Sequence, residues 1–88
     1  MKIKEGYILR QVMGNYMVVA VGKASKDFNK MVHLNETAAK IWELVDGGKS
    51  EGKIVEALFE LYEVDRESLA QDVHKTLKAL EAQGFIEI

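Results

Sequence analysis

The apolar positions of this chain change period about a third of the way along. Up to residue 34 they fall in short runs; beyond it they recur every three or four residues. Short runs bounded by turn residues read as strands, and the longer recurrence reads as amphipathic helix. Residues 7–13 (Tyr-Ile-Leu-Arg-Gln-Val-Met) predict a strand, and the mostly apolar stretch 16–21 predicts a central one. Gly14 and Asn15 lie between them and predict a two-residue hairpin turn, because both tolerate positive φ. Residues 22–29 are polar and predict a loop, with Phe28 as the side chain that anchors it to the core. Lys30, Met31, Val32, His33 and Leu34 predict a short third strand. Val32 and Leu34 then share one face, and Met31 and His33 the other.

Three helices follow. Asn35 is placed to cap the first, over 36–46, whose apolar stripe is Ala38, Ile41, Trp42 and Val45, with Gly47 and Gly48 as the exit. Ser50 caps a second over 51–62, with Ile54, Leu58 and Leu61 as its stripe, widened by Val55, Phe59 and Tyr62. Asp65 caps a third over 66–82, built on Leu69, Val73, Leu77 and Leu80. Gly84 ends it, and residues 85–88 predict a short last strand. Three N-terminal β-strands followed by three α-helices, the last two joined by a short turn, predict an α+β domain of winged helix-turn-helix type spanning residues 1–88.

Charge and composition narrow the function classes. The 88 residues carry 12 Lys and Arg against 14 Asp and Glu, a formal net charge of −2, which disfavours sequence-independent capture of nucleic acid. There is no cysteine, so disulfides, thiolate metal sites and a cysteine nucleophile are excluded. No apolar run approaches the length of a membrane span and no signal-peptide pattern opens the chain, so a cytoplasmic location is expected.

The chemistry-bearing residues do not converge into a motif. His33 and His74 lie on different elements, with no further ligand at metal spacing. Glu56, Glu60 and Glu63 recur at helical spacing and read as a solvated face. Ser25, Ser50 and Ser68 lack a nucleophile-elbow context, and the glycines form no phosphate loop. Tyr16, Phe28, Trp42 and Phe59 read as core. No catalytic residue, cofactor or metal is expected.

Binding remains, and the predicted fold offers two surfaces for it. The third helix is a possible DNA reader, but Arg66, His74, Lys75 and Lys78 are nearly balanced by Glu67, Asp72 and Glu81. A small transcription regulator is therefore the second reading. The first is an extended peptide added to the edge of the third strand. The competing possibility is that this edge is covered by the chain's own terminus or by a second copy. The sequence leaves a monomer and a homodimer both open.

The segment Leu34-Asn35-Glu36-Thr37-Ala38-Ala39, with Ile41, Trp42 and the Asp46-Gly47 stop, resembles the core signature of the PqqD family. The match continues through residues 54–58 and 62–65, through Asp72-Val73, Leu77 and Leu80, and on to Gly84-Phe85-Ile86. That family assists pyrroloquinoline quinone biosynthesis, and its relatives are recognition elements for ribosomally made, post-translationally modified peptides. The resemblance implies a non-catalytic domain that binds the leader of a precursor peptide as an added strand. It then presents the peptide to a modifying enzyme, often a radical S-adenosylmethionine (radical SAM) enzyme. The implied site is Lys30, Met31, Val32, His33 and Leu34, facing the third helix, where Asp72, Lys75 and Thr76 are expected to tune selectivity. Similar short members act outside quinone biosynthesis, so the resemblance implies peptide delivery rather than a particular product.

Overall fold

The fold is seen in a computed structural model that describes residues 1–27 and 31–88, without the side chain of Asp27. The anchoring role expected of Phe28 and the start of the third strand at Lys30 lie outside the described residues. In chain order the elements are β1 (Lys2–Ile3), β2 (Tyr7–Val12), β3 (Asn15–Ala20), α1 (Ala24–Asp27), β4 (Val32–Leu34), α2 (Glu36–Asp46), α3 (Glu51–Leu61), α4 (Arg66–Ala82) and β5 (Ile86–Glu87). The architecture is mixed α+β, with strands first and helices after. The expected count of three N-terminal strands and three helices is corrected by β1 and by the one-turn helix α1 in the predicted loop, and β5 is the short last strand expected after Gly84.

Two small antiparallel sheets organise the chain. One has the order β2-β3-β4 and the other pairs β1 with β5, tying the N-terminal residues to the C-terminal ones. Val12 pairs with Asn15, so the hairpin turn is Met13-Gly14 rather than the expected Gly14-Asn15. Both turn residues have positive φ, 52° at Met13 and 81° at Gly14, as this tight hairpin turn requires. The burial pattern explains the shift. This register sets Leu9 opposite Val18 and Tyr7 opposite Ala20, and Val18 in turn pairs with Val32. A one-residue slip would send the buried Val18 to the opposite face.

The helix starts are set by the residues that the sequence nominates. Asn35 Oδ1 accepts from Ala38 N at 2.8 Å, Ser50 Oγ from Lys53 N at 3.4 Å and Asp65 Oδ2 from Ser68 N at 2.9 Å. Each satisfies a backbone donor that the first turn leaves free. The stripes of α2 and α4 are buried as expected, except that Ala39 rather than Ala38 is the buried alanine of α2. On α3 the buried set is Ile54, Val55 and Leu58. Leu61 and Phe59, expected in its stripe, are exposed (64% and 39%). They stand off the narrow line that faces α4, and the Arg66 guanidinium lies 5.4 Å from the Phe59 ring centre.

The core gathers at Phe85. Its side chain is fully buried, with ring centroids 5.2 Å from Tyr7 and 5.8 Å from Trp42. Tilted and edge-on ring packing of this kind adds to the area term. Phe85 thus joins the turn after α4 to the sheet and to α2, around Val18, Ile41, Ile54, Leu58, Val73 and Leu77. Tyr16 is only half-buried. None of the helices searched among the described residues is long and apolar enough to cross a membrane.

Candidate functional site

The site begins with the position of β4. It pairs with β3 along one side (Tyr16 with Leu34, Met17 with His33, Val18 with Val32) and stands last in its sheet. Its other side therefore presents backbone donors and acceptors that pair with nothing in the sheet. Such an edge is a template for another strand. Val32 and Leu34 turn inward and pack against the core, while His33 is exposed on the other face. Met31, just before the strand, is 64% exposed.

The chain leaves β4 through Asn35 directly into α2, so the first turns of α2 lie beside the strand's end. There a groove of about 250 Å³ opens between α2 and α4. Thr37 and Ile41 form one wall, Ser68, Leu69, Asp72, Val73 and Thr76 the other, and Tyr62 and Val64 from the turn between α3 and α4 close one end. Its lining is mainly apolar. It is smaller than the ~300–1,000 Å³ usual for small-molecule sites and suits one or two side chains.

Each of the expected site residues can now be placed. Asp72 and Thr76 line the groove, while Lys75 is exposed and lies outside the lining. Met31, Val32, His33 and Leu34 stand at or beside the edge strand and do not line the groove. His33 and Leu34 instead border a shallow depression with Asn15, Tyr16 and Glu36 near the hairpin end. Lys30 lies outside the described residues. Thr37, Tyr62 and Val64 also line the groove and lie outside the site expected from the sequence. The available signal was Tyr62 and Val64 themselves, apolar side chains in a turn where polar residues are usual.

The electrostatics of α4 bear on the nucleic-acid reading. Arg66 pairs with Glu56 on α3, His74 Nδ1 lies 3.0 Å from Glu51 Oε2, and Lys78 lies 3.6 Å from Glu81. Three of the four basic residues named on it thus already face carboxylates, and no observation supports duplex binding by this helix. Among the described residues searched, no group of three His, Cys, Asp or Glu side chains is arranged to hold a metal ion.

An open strand end beside a helix-walled apolar groove defines a small α+β domain built for binding. The chain belongs to the family of Coenzyme PQQ synthesis protein D (PqqD), whose model matches residues 9–86. Two solved structures are similar. One is TbiB1 in complex with the TbiA(beta) leader peptide, at 24% identity over 99% of this chain and 95% of that chain, with a TM-score of 0.82. The other is lasso peptide synthetase B1 complexed with the leader peptide, at 20% identity over 96% and 93%, with a TM-score of 0.78. At these identities the likeness establishes the fold. No curated protein matches the chain.

Proposed function

We propose that this domain captures the leader segment of a ribosomally made precursor peptide and delivers it to a modifying enzyme, without catalysing a reaction itself. The observation that carries this reading is the outer edge of β4, which pairs with no strand among the described residues, in a chain that runs from Leu34 within three residues to Thr37 in the α2–α4 groove. The edge offers main-chain hydrogen bonds that fix register, and the groove takes side chains that give selectivity. Family membership and the two leader-bound relatives support the same reading. The helix pair α3–α4, joined by a short turn, and the β2–β3 hairpin support a winged helix-turn-helix-like description, here turned to peptide rather than DNA. A radical SAM enzyme is the modifying partner most in keeping with the family, and one copy of this domain per leader is the simplest stoichiometry.

Affinity is expected in the micromolar to sub-micromolar range, on the order of −8 to −9 kcal/mol, because ordering a flexible leader offsets much of the contact energy. The test is a titration of ¹⁵N-labelled protein with the short precursor peptide encoded beside its gene. Amide shifts concentrated at residues 31–34 and on the groove side of α4 support the proposal. Shifts confined to α3, or no binding at millimolar peptide, overturn it.

A further inference from the structure

The groove carries a charge signature of its own. Asp72 is the one charged side chain among its lining residues, which are otherwise apolar or hydroxyl-bearing. It is exposed, and no hydrogen bond or ion pair holds its side chain among the described residues. Of the basic residues of α4, Arg66 and His74 face carboxylates on α3 and Lys78 faces Glu81, while Lys75, three residues beyond Asp72, is exposed and outside the groove lining. Across the groove is the N-terminal end of α2, whose helix dipole favours anions. That end is already met by Asn35, which accepts from Ala38 N, and by Glu36 in the first turn. Asp72 is thus the charged group of a lining whose floor is Ile41, Leu69 and Val73.

We infer that the groove selects a peptide carrying an apolar side chain for this floor and, beside it, a lysine or arginine whose cation meets Asp72. The inference rests on the leader-capture reading and adds to it the chemical class of the leader. A free carboxylate at the mouth of an apolar groove disfavours a second carboxylate and gains a charge-assisted hydrogen bond from a cation. Lys75 lies outside the groove lining.

The test uses a phage-displayed library of random 15-residue peptides, selected in parallel on the wild-type chain and on Asp72→Lys. Circular dichroism first verifies that both are folded, which an exposed substitution permits. Wild type should enrich peptides with Lys or Arg at a fixed spacing from an apolar residue, and Asp72→Lys should enrich Asp or Glu at that same spacing. Resynthesised winners follow by fluorescence anisotropy. Changing the basic residue to Glu should weaken wild-type binding roughly five-fold, the upper range for a solvent-exposed charge pair. Asp72→Lys should reverse the order. Asp72→Asn should remove most of the salt dependence of binding to the basic peptide. Pools that share apolar anchors but show no charge difference overturn this inference and leave leader capture standing. If neither folded protein enriches any sequence, leader capture itself is overturned, and this inference with it.

Discussion

Trp42 shows how much of this fold rests on single side chains. It is 3% exposed and meets Phe85 edge-on at 5.8 Å. Trp42→Ala should cost about 3–5 kcal/mol, the range for truncating a buried aromatic. In a domain with ~5–15 kcal/mol in total, that lowers the melting temperature by tens of degrees, and an unchanged melting curve contradicts the packing. Met13 is the opposite case. It is 96% exposed, so it contributes no packing, and it holds φ at 52° where a β-carbon is disfavoured. Met13→Asn supplies the residue that hairpin turns of this type prefer, so it should raise stability by about 0.5–1 kcal/mol, read as a melting temperature several degrees higher. Trp42 was legible because it belongs to a stripe with a period. Phe85 was not, since it follows Gly84 in a two-residue setting where no period can be read, although it is the hub of the core.

At the scale of elements, legibility followed length and capping. The spans of α2 and α4 were readable because each has a polar cap, a long apolar stripe and a clear end. The strands β1 and β5 were not paired in the sequence reading, because two residues are too few to show alternation and their pairing spans the whole chain. The helix α1 hides in a polar stretch for the same reason. The groove also escaped the sequence, because it forms between α2 and α4, which meet only through tertiary packing. Asp72 and Thr76 could be nominated as flanking residues, but only packing separates them from Lys75. The cap of α2 links element to site, since the helix begins where β4 ends. Asn35→Ala should cost about 1 kcal/mol by removing the bond to Ala38 N. It should also raise amide exchange in the first turn of α2, beside the groove, more than in α4. Uniform exchange across both helices would contradict a local role for the cap.

For the whole molecule, the β2-β3-β4 sheet has two edges, and both lie beside helix α2. Past the C-terminal end of β4, from Thr37 on, is the groove with Asp72. Beside β2 is a concavity formed by Tyr7, Ile8, Leu9 and Trp42 with Glu43 and Asp46. A slightly acidic molecule, whose α4 pairs Arg66 and Lys78 with carboxylates, is suited to peptides rather than to nucleic acid. The central claim is that a leader joins this sheet as a strand at β4. The most direct measurement is a set of isotope-edited nuclear Overhauser contacts between unlabelled bound peptide and labelled protein. The account predicts a ladder of backbone contacts from the peptide to Val32, His33 and Leu34, with peptide side-chain contacts to Val73 and Thr76. A ladder along Tyr7–Val12 at the other edge, or a peptide that lies in the groove as a helix with no backbone contacts to β4, would contradict it.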